Sequence, residues 1–350
     1  METINTISGV LALFPQPAFA VRDSRILCVN QGAANLMLEP DMPVANLLHA
    51  GADEYLHFSE GQLYVTLEIC AKRMGATVRR MQDVDIFVLE PAESPHLQAL
   101  ALAARSLREP LAGAMLAADK IHAVQSDALE AEAAQLNQRL HQLLRLVGNM
   151  SDAERYLQPN RNHLELRNVT AVIDEILQKG GHLLEQAGMQ IDYKPLQEDI
   201  FCPIDSELLE RCIFNILSNA AKNAPSGQIN IRVSRKNNIL RLVFHDNGTG
   251  ISTSAMATAH IGYQRQVGLE NVDRGIGLGM VMIRAAAEAH DGTVLIDTPS
   301  EGGTRVTLTL RILPHKDAGF RNKLLRPDYA GERDHAMIEL SEQLPAKLYK

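Results

Sequence analysis

The sequence predicts an α+β protein of several domains, and three changes of pattern along its 350 residues predict it. Short apolar runs bounded by turn residues fill 1–92. Apolar positions then recur at steps of three and four through 93–160, the spacing of packed helices. From 161 to 315 helical periods alternate with strand-like runs, which suggests helices laid on a mixed sheet as a two-layer α/β sandwich. A more charged tail, 316–350, follows. Trp is absent and aromatic residues make up only 4%, so Leu, Ile, Val, Ala and Met must fill the cores.

Bulk properties narrow the function classes. A net charge of −8 argues against a broad nucleic-acid surface. Cys28, Cys70, Cys202 and Cys212 lie far apart with no CxxC pair, which disfavours a zinc site or a disulfide framework and fits reduced thiols. No apolar run approaches the ~18–20 residues of a membrane span. No basic stretch precedes an apolar one at the N-terminus. The expectation is a cytoplasmic protein without a membrane span.

In the N-terminal domain, Ala18–Arg22 and Arg25–Asn30 read as a hairpin, and Gly32–Leu38 and Val44–Leu48 as helical turns. Gln62–Cys70, Ala76–Met81 and Val84–Leu89 read as strands. Two strands, helices, then three strands, opening on Pro17-Ala-Phe-Ala-Val and Arg25-Ile-Leu-Cys-Val-Asn30, resemble a PAS sensor domain. Next, Leu107, Leu111, Ala114, Ala118 and Ile121 form one helical stripe, and Leu136, Leu140, Leu143, Val147 and Met150 a second over about 129–158. The connection Val124–Ala128 is short, so the two helices are expected to be antiparallel neighbours. Such a hairpin cannot bury its stripe alone. A second copy completes a four-helix bundle, which predicts a homodimer.

The C-terminal domain is expected to run through a strand at Leu164–Leu166, a helix at Thr170–Ala187 and a strand at Gln190–Tyr193, then a helix carrying Asn215. Strands at Gln228–Ser234 and Ile239–His245 follow, then a loop, a helix at about 278–290, and strands at Thr293–Asp297 and Thr304–Ile312. Asn215, Asn219 and Lys222 stand at i, i+4 and i+7 and share one helix face. Two amides and an ammonium on an otherwise apolar helix suit triphosphate with Mg²⁺, a hard ion that takes oxygen ligands; a solvated face is the plainer reading. Asp246-Asn-Gly248-Thr-Gly250-Ile251 follows a strand; alone it fits a hairpin turn. Gly275-Ile-Gly277-Leu278-Gly279 precedes a helix, where freed backbone N–H groups meet phosphate. No strand runs directly into it, which disfavours a dinucleotide fold. Gly302-Gly303-Thr304 is the last of the four.

Together, in this order, the segments resemble the ATP-binding domain shared by sensor histidine kinases, gyrase-type ATPases and Hsp90-type chaperones. The resemblance implies ATP and Mg²⁺ as cofactors, with Asn219 as the Mg²⁺ ligand. Asn215, Lys222, Gly248, Gly250, Ile251, Gly275, Gly277, Leu278, Gly279 and Thr304 would line the nucleotide. It puts Asp246 at the adenine pocket, where a carboxylate that only accepts hydrogen bonds suits the exocyclic amino group. The gyrase and Hsp90 branches carry a water-activating Glu four residues before the Mg²⁺-binding Asn. Here that position is Asn215, an amide that cannot act as a general base, which points to the kinase branch.

Ala104-Arg105-Ser106-Leu107-Arg108-Glu109-Pro110-Leu111 resembles the histidine box of the dimerisation helix, with Arg105 at the phosphoacceptor position and Ser106 at the following acidic one. A guanidinium stays protonated and is no substitute for an imidazole nucleophile. No catalytic residue is therefore assigned. His96 and His122 sit on the wrong face or several turns away, and His141 is expected at the surface. The expectation is a histidine-kinase-like protein of doubtful autophosphorylation. A non-catalytic ATP-binding regulator and a kinase acting on a partner in trans both stay open. A response regulator or a true histidine kinase is the implied partner.

Overall fold

The computed structural model describes residues 2–81, 83–89, 107, 111–115, 127–156, 164–224, 227–250, 278–312 and 334–349. Helix α1 (Glu2–Leu11) leads into the hairpin β1 (Ala18–Arg22) and β2 (Arg25–Val29). Its turn residues Asp23 and Ser24 take positive φ of 52° and 61°, as a tight hairpin turn requires. Asn30 caps the short helix α2 (Gln31–Ala34) by accepting the Ala33 N–H at 2.9 Å. A 3-10 turn (Val44–Asn46), β3 (Leu48–Ala50) and α3 (Ala52–His57) precede β4 (Gln62–Ile69), β5 (Lys72–Met81) and β6 (Val84–Leu89). The alternation places these longer strands correctly. Helices α1 and α3, of 10 and 6 residues, were not foreseen, because so few turns give no clear period.

Helix α4 (Asp127–Tyr156) is the second expected long helix. Most of the first, with Arg105, Ser106, His96 and His122, lies outside the described residues. The buried side of α4 differs from the stripe the sequence suggests. Leu140, Val147 and Met150 are buried as expected, but Leu136 and Leu143 stay 42% and 49% exposed. At about 100° per residue, the buried face is centred one step round the helix, on Asn137, His141, Leu144 and Gly148. His141 is therefore not a surface residue. Its Nδ1 pairs with the Asn137 carbonyl at 2.7 Å, and its ring packs edge-on to Tyr349.

Beyond α4 come β7 (Glu165–Asn168), α5 (Val169–Gln186), β8 (Gln190–Lys194), β9 (Phe201–Ile204), α6 (Ser206–Asn223), β10 (Gln228–Lys236) and β11 (Ile239–Asp246). Helix α7 (Leu278–Ala289), β12 (Val294–Asp297) and β13 (Thr304–Arg311) complete this part. Alternate residues of β10 and β11, among them Ile229, Ile231, Leu240, Leu242 and Phe244, are buried in one core with α5, α6 and α7. That is one helical layer on one sheet.

Strands of the N-terminal and C-terminal parts join in one large sheet, while β7 and β9 pair separately as a two-stranded sheet. The order in the large sheet is β2-β1-β6-β5-β4-β12-β13-β11-β10-β8, with β3 also on β4. The junction is antiparallel, matching Gln62, Leu63 and Tyr64 to Ile296, Leu295 and Val294. The tail also docks. Helix α8 (His335–Glu339) and the 3-10 turn Ala346–Tyr349 pack on α4 and α6, with Ala336, Leu340, Leu344 and Tyr349 buried in the C-terminal core. No helix among the described residues is long and apolar enough to cross a membrane.

Candidate nucleotide site

Helix α6 carries the first group. Asp205 caps it by accepting the Leu208 N–H at 3.0 Å. The Asp205 N–H in turn donates to Nε2 of His290 at 3.1 Å, while Nδ1 of His290 pairs with the Ala286 carbonyl at 2.7 Å. Burial holds His290 below the usual imidazole range, consistent with a neutral ring whose Nε2 accepts. This histidine ties the start of α6 to the end of α7.

Asn215 is buried and its Nδ2 donates to the Arg211 carbonyl at 2.9 Å. Its Oδ1 faces the start of α7: a Cβ on Gly279 would lie 2.9 Å from it, so a larger residue there would force the Asn215 amide to shift. Asn219 and Lys222 are exposed one and two turns on, along the same side of α6. The helix thus buries its first amide and presents the other two groups outward.

Asp246 ends β11 and is 4% exposed. Its Oδ1 accepts both the Gly248 N–H at 3.0 Å and the Thr304 N–H at 3.1 Å. Burial pushes this carboxyl above the usual range, and the Gly248 and Thr304 N–H groups, His245 and the Thr304 hydroxyl oppose it. Gly303 makes the approach of the two segments possible. Its φ is 77°, and a Cβ there would fall 1.8 Å from the Asp246 carbonyl oxygen. Gly250 lies against the Gly303 carbonyl and has φ of 73°. Nε2 of His245 pairs with the Gly302 carbonyl at 3.0 Å, fixing the same turn from the other side.

The four segments therefore meet in two pairs: Asn215 with Gly279, and Asp246 and Gly250 with Gly303 and Thr304. Ile251, Gly275 and Gly277 lie outside the described residues, and so does the side chain of Leu278. Sequence reading missed His245 and the role of His290. Their signal was positional, one beside Asp246 and the other just past the end of the helix that carries Gly279.

Residues 204–314 match the family model of histidine kinase-, DNA gyrase B- and HSP90-like ATPases. The chain is 27% identical over 223 residues to the histidine protein kinase DivJ of Caulobacter vibrioides, covering 61% of this chain and 37% of that protein. It is 26% identical over 265 residues to the adaptive-response sensory kinase SasA of a Synechocystis strain, covering 70% of this chain and 68% of that one. Among solved structures, full-length ShkA in complex with AMPPNP aligns with a TM-score of 0.49 at 18% identity, over 62% of this chain and 47% of that one. The chain thus spans little more than a third of its Caulobacter relative. It carries a histidine kinase-, DNA gyrase B- and HSP90-like ATPase domain and is related to the sensor histidine kinases.

Proposed function

We propose that the chain is a histidine-kinase-like signal-transduction protein that binds Mg·ATP between α6, α7 and the β11–β13 turns. The observation that carries this reading is Asp246. A buried carboxylate, held at Oδ1 by N–H groups from two glycine segments, has a second oxygen suited to accept from an amino group. Asn219 and Lys222, outward on α6, would hold Mg²⁺ and phosphate. Bound ATP would supply a phosphoryl group for transfer.

Melting curves test it. Mg²⁺ with ATP is expected to raise the melting temperature of the wild-type chain, since a ligand that binds only the native state stabilises it. Asn219→Ala is expected to remove that rise. An unchanged curve for the wild type contradicts the nucleotide reading.

The acceptor box supports a non-catalytic or trans-acting role, because Arg105 and Ser106 replace its histidine and acidic residue. With γ-labelled ATP, the protein is expected to retain little acid-labile phosphate. Arg105→His with Ser106→Glu is expected to restore labelling. Robust labelling of the wild type would refute a degenerate box. Conversely, a partner labelled by the wild type would favour a kinase acting in trans. The proposal includes a PAS-like sensor domain at 1–92, a cytoplasmic location and a response regulator or true kinase as partner. It also includes a homodimer. Leu136, Leu143 and Leu146 on α4 leave an exposed apolar seam at heptad spacing, which a second copy would cover.

A further inference from the structure

We propose that the N-terminal domain is coupled to the nucleotide site directly, through the seam where β4 pairs with β12. The inference rests on the nucleotide reading of that site. At the seam the two halves exchange side chains. Tyr64, from the N-terminal part, is 3% exposed within the core of the C-terminal part. Leu295, from the C-terminal part, packs on the N-terminal core that holds Leu63 and Val65. Neither core is complete without the other.

Both structures that receive Tyr64 end at the site. Its hydroxyl donates to Glu288 at 3.2 Å, and the Arg284 guanidinium lies 5.5 Å from its ring centre. Arg284 and Glu288 belong to α7, whose first turn holds Gly279 against Asn215. On its other side, β12 pairs with β13, whose first residue, Thr304, donates its N–H to Asp246. Just past α7, Asp291 meets Arg73 at 3.2 Å and His49 at 3.3 Å, both from the N-terminal part. Close-packed cores and paired strands move as units rather than deform smoothly. A displacement of β4 must therefore shift α7 or β12, and with it one wall of the site. By reciprocity, nucleotide bound at the site biases the N-terminal domain by the same factor.

The test uses the full chain. Leu63→Cys with Leu295→Cys places two thiols directly across the antiparallel pair, and this variant is expected to oxidise to a disulfide. Adding ATP with Mg²⁺ to the wild type is expected to slow amide exchange in 62–69 as well as in 294–297, although β4 does not line the site. Tyr64→Ala is expected to weaken ATP binding about tenfold. Tyr55→Phe, in the same domain but away from the seam, is expected to leave it unchanged. Should Tyr64→Ala fail to fold, Tyr64→Phe removes only the hydroxyl on Glu288, and a loss of about threefold is expected.

Failure of the cysteine pair to close would overturn the seam. A wild type that binds ATP with unchanged exchange in β4, together with Tyr64 variants of native affinity, would overturn the coupling while leaving the nucleotide reading intact. A wild type with no nucleotide-induced melting shift would overturn both, and the disulfide would still report the seam separately.

Discussion

Asp246→Asn is expected to weaken nucleotide binding by about one to two orders of magnitude while leaving the folded protein at least as stable as the wild type. The carboxylate accepts two backbone N–H groups at Oδ1, from Gly248 and Thr304. An asparagine at this position must turn its only oxygen toward them. Its NH₂ then takes the place of Oδ2 and meets the adenine amino group, donor against donor. An unsatisfied buried pair of this kind costs about 1–3 kcal/mol, or about 5–150-fold in affinity.

The stability side of the same variant follows from the raised pKa. Burial outweighs the hydrogen bonds that favour the charge, so the fold favours the ionised form of Asp246 less than the unfolded chain does. A carboxyl with a raised native pKa costs stability once both states are ionised, and that cost fades as pH falls through the native value. A neutral isostere removes the cost at pH 7. Nucleotide binding should run the other way. It needs the ionised acceptor, so affinity should fall on acidification, starting at a higher pH than for an ordinary carboxylate. Melting curves with and without ATP across pH measure both trends. Retained binding by Asp246→Asn, or an apo protein destabilised as much as its nucleotide response is reduced, would show that the residue is structural.

Arg145→Ala is expected to detach the tail from the body. Arg145 on α4 donates through Nη2 to Ser218 Oγ on α6 at 2.9 Å and lies 3.5 Å from both Glu339 and Glu342 of the tail. Ser218 donates onward to Gln343 at 2.9 Å, and Gln138 holds the Ser341 and Leu344 carbonyls at 3.1 Å and 2.6 Å. Arg145 and Glu339 are 8% and 1% exposed. Removing one member of such a buried pair costs about 3–5 kcal/mol, because the remaining charge keeps its desolvation without that counter-ion. Amide exchange over 334–349 should accelerate far more than exchange in β10 or β11, and the melting temperature should drop by several degrees. Arg145→Met combined with Glu339→Leu, which replaces both charges by apolar volume, should recover most of the loss. Tail exchange indistinguishable from wild type in Arg145→Ala would show that the network contributes nothing to docking.

These two residues also mark how far the sequence could be read. Asp246 was legible because its chemistry is local: a strand, a carboxylate and glycines two and four residues on specify a turn that frees N–H groups. The face of α6 was legible for the same reason, since i, i+4 and i+7 must share a side. Arg145 was not. Hydrophobic periodicity finds apolar stripes, and it chose Leu136, Leu140 and Leu143 on α4. The structure buries Asn137, His141 and Arg145 beside them, because the tail and α6 bring matching polar groups to that face.

The sequence alone determined the order of the longer strands and of the described long helices, though not the short β3 and β9, together with the glycine turns and the residue types gathered around Asn215 and Asp246. Each follows from spacings of a few residues, within which backbone geometry leaves few choices. Only the tertiary structure decided that Tyr64 enters the core beneath α7, that β4 and β12 close one sheet, and that a charged tail shelters a polar helix face. Those partners lie roughly 70 to 230 positions apart in the chain, and burial at such a distance depends on which surface arrives, which no local pattern records.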